Sequence, residues 1–141
     1  MFSRSGSNGS HSISELDDLI STYDIIFLIL PLTAESKHLF NRTRLFAMKK
    51  GAALINVARG GVVDTDALVE VLNAEHITAG VDVTDPEPLP DGHPLWSAKN
   101  IIITPHVGGD TTAFGPRGKK LIEDQIARWA KGDELINVVA E

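Results

Sequence analysis

The 141-residue chain contains no cysteine. That excludes a disulfide framework, a thiolate metal site and a cysteine nucleophile, and it permits a reducing compartment. A cytoplasmic location is expected, and no metal site. The chain also lacks a run of ~20 apolar residues, the length a membrane-spanning helix needs. Its most apolar stretch, "DIIFLIL" from Asp24 to Leu30, is too short for that and lies too far in for a signal peptide. Basic charge is scarce: 13 Lys and Arg stand against 19 Asp and Glu, a net charge of −6. A nucleic-acid partner requires a basic face to meet its phosphates. The single "RGG" at Arg59 to Gly61 sits in an apolar context, so no such partner is expected. No repeat is visible. The composition, 43% apolar and 23% charged, is that of an ordinary globular domain.

Residues 1–12, "MFSRSGSNGSHS", are rich in Ser and Gly and read as a flexible loop or tail. Residues 13–141 read as one partial domain. Four short apolar runs, 24–30, 52–57, 78–83 and 100–104, have the continuous apolar character of strands buried on both faces. Helical signals separate them. "SISELDDLIST" has Ser14 in an N-cap position, a short helix is expected over Asn41 to Lys50 with Gly51 after it, and Asp64 can cap a helix carrying Leu68, Val71 and Leu72. A last amphipathic helix places Leu121, Ile122, Ile126 and Trp129 on one side, and Gly132 ends it. The third connection, "TDPEPLPDGHPLWSAK", is long, Pro-rich and aperiodic, as functional loops often are. Strands alternating with helical connections predict an α/β fold with a parallel sheet of about four strands and right-handed crossovers.

In an open parallel sheet, ligands bind at the carboxyl ends of the strands. The second strand runs out into Arg59, the third into Asp82 and the fourth into His106. The long loop adds Glu87. A cation, two carboxylates and an imidazole are thus expected on one rim. His exchanges a proton near neutral pH, a carboxylate bonded to it holds the imidazolium, and Arg offers a planar fork for a carboxylate or carbonyl. Gly60, directly after Arg59, lets backbone come close to a ligand. The set suits a small 2-oxo or 2-hydroxy acid.

The segments "DIIFLILPLTAESKHLFNRTRLFAMKKGAALINVARGGVVDTDAL", "GVDVTDPEPLPDGHPLW" and "NIIITPHVGGDT" resemble the D-isomer-specific 2-hydroxyacid dehydrogenases, in particular the glyoxylate/hydroxypyruvate reductase-like branch. The resemblance runs from about Ser14 to Val139. It implies an oxidoreductase with a Rossmann-type domain and NAD or NADP as cofactor. It further implies that Arg59 binds the substrate, that Asp82 contacts the nicotinamide carboxamide, and that Glu87 pairs with the acid/base His106. Leu30, Pro31, Leu32, Val57 and Ala58 would line the cofactor groove, with Gly108 and Gly109 close to the nicotinamide. Thr84 stands where the family usually has an aromatic residue.

Two parts of the family pattern are missing. No G-x-G-x-x-G phosphate turn is present: "SGSNGS" offers Gly6 and Gly9, with no strand expected before it. No substrate domain is present either. The chain therefore resembles only the second half of the dinucleotide-binding domain, and activity of the chain alone is doubtful. Met1 would fall near the end of a strand, where Arg4 of "SRS" would meet the 2′-phosphate of NADP. Strand 24–30 would form an exposed apolar edge, through which self-association or pairing with a missing fragment is expected. The alternatives are a non-catalytic dinucleotide- or peptide-binding module of the co-repressor type, or a non-functional gene fragment.

Overall fold

A computed structural model of the chain describes residues 1–3, 5–6 and 9–138. They form two compact units, Met1–His106 and Val107–Glu141.

The first unit is built on four parallel strands in the order β3 (Ile25–Leu28), β4 (Ala53–Asn56), β5 (Thr78–Val81) and β6 (Ile101–Ile103). Each neighbouring pair is parallel and in register, so that Leu28, Asn56, Val81 and Ile103 form one row across the sheet. Two shorter strands, β1 (Phe2–Ser3) and β2 (His11–Ser12), pair separately and in parallel. The N-terminal segment thus has regular pairing where the sequence suggests only a loop. A strand, β1, therefore does precede "SGSNGS", and the next described element after it is β2 and not a helix.

The helices follow local chemistry. Ser12, not Ser14, caps the first helical segment: its hydroxyl accepts from the Ser14 amide while the Glu15 carboxylate accepts from the Ser12 amide at 2.7 Å. A 3-10 turn then leads into the single α-turn α1 (Leu16–Leu19). Helix α2 spans Arg42–Ala47, capped by Asn41, and stops short of the expected Lys50. Helix α3 spans Thr65–Asn73 and is capped as expected by Asp64, which accepts from the Ala67 amide. The Pro-rich third connection contains only a 3-10 turn, Pro94–Ser97.

Leu16 and Ile20, Leu45, and Leu68, Val71 and Leu72 pack with Leu28, Leu54 and Val81 in one core. The helices of this unit thus cover one face of the sheet. The alternate residues Ile25, Phe27 and Ile102 are exposed by 55%, 63% and 71%. This corrects the expectation that the strands are buried on both faces. Continuous apolar runs mark strands able to be covered twice, but the described helices of this unit cover one face.

The second unit contains α4 (Phe114–Lys131), ended by Gly132 in the left-handed conformation (φ 74°). The segment after it folds back: the Gln125 amide bonds the Ile136 carbonyl at 2.6 Å and its carbonyl oxygen accepts from the Ile136 amide at 3.1 Å. The apolar side chains Ile122, Ile126 and Trp129 are exposed.

Candidate active site

The in-register row fixes where the site residues emerge. Beyond Asn56 come Val57, Ala58 and Arg59; beyond Val81 comes Asp82; beyond Ile103 come Thr104, Pro105 and His106. All leave the sheet at its carboxyl rim, as the spacing predicts.

The imidazole and carboxylate are in contact: His106 Nδ1 and Glu87 Oε1 lie 2.7 Å apart, both partly exposed. Glu87 lies between the cis peptides Asp85–Pro86 and Glu87–Pro88, and His106 takes a left-handed backbone (φ 56°). For a non-glycine residue that conformation is uncommon, costs ~1–2 kcal/mol and is often found at functional sites. A carboxylate accepting from Nδ1–H selects the tautomer whose Nε2 is free, and Nε2 has no partner among the described residues.

Asp82 is buried, and Thr104 donates its hydroxyl to it at 2.5 Å. The two join strand ends β5 and β6 beyond the last ladder bonds. Asp82, Thr84, Glu87, Leu89, Trp96 and His106 line a concavity of about 320 Å³. A neighbouring concavity of about 550 Å³ is lined by Leu30, Pro31, Leu32, Val57, Ala58 and Arg59. Gly60 packs against the segment before Glu87: a Cβ there would come within 2.5 Å of the Asp85 nitrogen and would overlap the Thr84 carbonyl. The close approach at this glycine is to the chain's own Thr84–Asp85 segment, just before Glu87.

The Arg59 turn is held by a residue the sequence reading did not single out. Asn56 is 1% exposed; its carbonyl oxygen accepts from the Ala58 amide and its amide donates to the Arg59 carbonyl, both at 3.0 Å. The available signal was a polar residue closing an apolar strand. Arg59 itself is exposed, with Nη1 donating to the Ala58 carbonyl at 2.6 Å. Gly108 and Gly109 belong to the second unit, within the turn closed by the Asp110 amide and the Val107 carbonyl. Arg4 lies outside the described residues.

The chemistry of this rim fits one half of a dinucleotide. Exposed Leu32 and Val57 offer apolar walls in the concavity at Arg59, and Asp82 offers a carboxylate in the one at His106. No glycine-rich strand-to-helix turn exists among the described residues to meet a pyrophosphate. No helix among them is long and apolar enough to cross a membrane.

Comparison with known proteins agrees with this architecture. Residues 3–108 match the sequence profile of the D-isomer specific 2-hydroxyacid dehydrogenase NAD binding domain. Glyoxylate reductase of Thermofilum pendens is 42% identical over 121 residues, covering 85% of this chain and 36% of that protein. Mitochondrial formate dehydrogenase of Solanum tuberosum is 35% identical over 128 residues, 90% of this chain and 34% of that one. A D-isomer specific 2-hydroxyacid dehydrogenase from Xanthobacter autotrophicus Py2, solved in complex with NADPH and MES, superposes with a TM-score of 0.81 at 38% identity, covering 92% of this chain and 53% of that chain. The chain spans about a third to a half of the length of the curated relatives it matches. The matched region is an NAD-binding domain. The chain belongs to the D-isomer specific 2-hydroxyacid dehydrogenase family, within its NAD-binding domain.

Proposed function

We propose that this chain carries the acid–base and substrate-anchoring residues of an NAD(P)-dependent oxidoreductase acting on a small 2-oxo or 2-hydroxy acid of the glyoxylate or hydroxypyruvate type. The observation that carries the reading is the His106–Glu87 contact of 2.7 Å on the strand-end rim that also bears Arg59 and Asp82. When bound, the dinucleotide would supply or accept a hydride at the substrate's C2. His106, through its free Nε2, gives a proton to the oxygen of the forming alcohol or takes it from the alcohol being oxidised. Glu87 orients the ring and balances its charge. Arg59, swung from the Ala58 carbonyl, holds the substrate carboxylate with a planar pair of donors. Asp82, fixed by Thr104, would accept from the dinucleotide's carboxamide, Leu30, Pro31, Leu32, Val57 and Ala58 would line the groove for it, and Gly108 and Gly109 would belong to its nicotinamide end. Arg4 is the candidate for a 2′-phosphate.

The 141-residue chain by itself is proposed to be a poor catalyst. Its sequence offers no G-x-G-x-x-G turn for the pyrophosphate, and Arg59 alone does not fix a substrate at the ~3–3.5 Å that hydride transfer requires. Association through the open edge of β3 belongs to the same reading, because no described strand pairs with it.

Amide NMR titration tests the proposal. NADH or NADPH is expected to shift Val57, Ala58 and Asp82 with a Kd of ~1–10 mM, and glyoxylate to shift residues 58–60 in the wild type but not in Arg59→Ala. Absence of any shift at ~10 mM of either cofactor would overturn the reading. Steady-state reduction of glyoxylate by the isolated chain at ordinary rates, ~1–10³ s⁻¹, would overturn the claim of poor catalysis alone.

A further inference from the structure

The His106–Glu87 contact is made at the surface: the two side chains are 47% and 38% exposed. An exposed ion pair gains little and does not by itself hold two side chains in one geometry. What fixes Glu87 must therefore lie in its backbone. The segment Asp85-Pro86-Glu87-Pro88 is poor in backbone donors, because each proline removes an amide. Its carbonyls remain, and threonine hydroxyls take the first two. Thr84 donates to the Pro86 carbonyl at 2.9 Å, and Thr65 donates to the Asp85 carbonyl at 2.7 Å.

The two bonds differ in reach. That of Thr84 is local and stiffens the turn itself. That of Thr65 crosses twenty residues and ties the turn to the first residue of α3. The start of α3 is a fixed point: Asp64 caps it, accepting from the Ala67 amide at 3.1 Å, and Ala67, Leu68, Val71 and Leu72 anchor the helix by burial. Contact with Gly60 sets how close the Thr84–Asp85 segment can come, and the Thr65 bond opposes its moving away. A continuous path thus runs from the core through α3 and the Thr65 hydroxyl to the peptide before Glu87, and from Glu87 to the imidazole. We propose that Thr65 is a positioning residue for the acid–base pair: its hydroxyl holds the loop where the Glu87 carboxylate reaches His106 Nδ1. The role rests on the proposed acid–base function of His106. Thr65 acts at one remove, through Glu87, on which ring nitrogen carries the proton.

Nitrogen NMR of the His106 ring in the full chain tests this at about pH 9, where an ordinary imidazole is neutral. Glu87→Ala marks the ring without its partner. In the wild type the proton is expected on Nδ1. Thr65→Val and Thr65→Ala lack the hydroxyl, and each should move the tautomer ratio toward Nε2–H at least ~twofold, the low end of what one neutral bond contributes. Thr65→Ser keeps the hydroxyl and should hold the wild-type ratio. Ser12→Ala removes a cap elsewhere in the chain and should leave the ratio unchanged, which separates positioning from general loss of stability. Amide spectra check each fold, and Thr65→Ala, with the better helix propensity, serves where Thr65→Val does not fold. A wild-type ratio in the folded hydroxyl-free variants, with Glu87→Ala displaced, would overturn the role of Thr65 and leave the pair standing. An equal displacement in Thr65→Ser or Ser12→Ala would overturn it too. A wild-type ratio in Glu87→Ala would overturn the pairing itself, and the role of Thr65 with it.

Discussion

Gly60→Ala is the most discriminating perturbation of the rim. The residue is buried at the start of the 3-10 turn Gly60–Val62, and an added Cβ would lie within 2.5 Å of the Asp85 nitrogen and closer still to the Thr84 carbonyl. Ordinary carbon contacts fall at ~3.5–4.0 Å, so the two backbones must part by an ångström or more. These are main-chain atoms and cannot rotate away. The Asp85 carbonyl is also tied to the Thr65 hydroxyl at 2.7 Å, so moving the loop strains the start of α3. Overpacking usually costs ~1–3 kcal/mol, and this case belongs at the upper end, about 3 kcal/mol. For a domain of this size that lowers Tm by ~10 °C. Two controls set the scale. A Cβ at Gly61 meets side-chain atoms of Asp85 and Leu32 at 3.2 Å, which can yield, and a Cβ at Gly109 meets nothing within 4 Å. Thermal melts should rank Gly60→Ala far below Gly61→Ala, with Gly109→Ala within ~0.5 kcal/mol of wild type. The imidazole NMR signals of His106 should move in the first variant alone, because its partner Glu87 rides on the displaced loop. A Gly60→Ala protein melting within a degree of the wild type would refute the argument that this turn and loop are in enforced contact.

Other expectations rest on separate contacts. Asn56→Ala leaves the Ala58 amide and Arg59 carbonyl without their partner in a buried place, and should cost ~2–3 kcal/mol in urea unfolding while broadening the Arg59 signals. Thr104→Val removes the hydroxyl that donates to Asp82 and should cost ~1–2 kcal/mol by the same measurement, with the largest shift changes at Asp82. Arg44 holds the Asp17 carboxyl below its ordinary range by a two-bond pairing at 2.6 and 3.0 Å, and Lys99 does the same for Glu75 with one bond. A lowered folded pKa adds stability that is fully present above the unfolded value and is lost as pH falls through the folded one. Melting temperature should therefore decline below about pH 4, and Asp17→Asn should flatten that decline; an unchanged slope would contradict the pairing.

The strand-end logic was readable because apolar runs of four to seven residues, each stopped by a polar or proline residue, leave little choice of period. That fixed Arg59, Asp82 and His106 on one rim, and the long loop then brought Glu87 to His106. Asp64 was readable as a cap because a clear apolar stripe follows it. Three features were not. Ser12 and Ser14 are equivalent cap candidates until Glu15 closes a capping box on Ser12. Strands β1 and β2 have two residues each, too few for any periodicity. The partners of Gly60 and Thr104 lie about twenty residues away in sequence, and such long-range contacts leave no local trace.

The row Leu28–Asn56–Val81–Ile103 has a consequence for how such a scaffold can change. Arg59, Glu87 and His106 stand past that row, on connecting segments and not within the strands. Exchanges at exposed positions on those segments can re-aim the reactive groups, whereas buried Gly60 and the Asp82–Thr104 pair tie the rim to the sheet and do not tolerate them. A single-residue slip inside any strand does the opposite, turning its entire set of side chains to the wrong face at once.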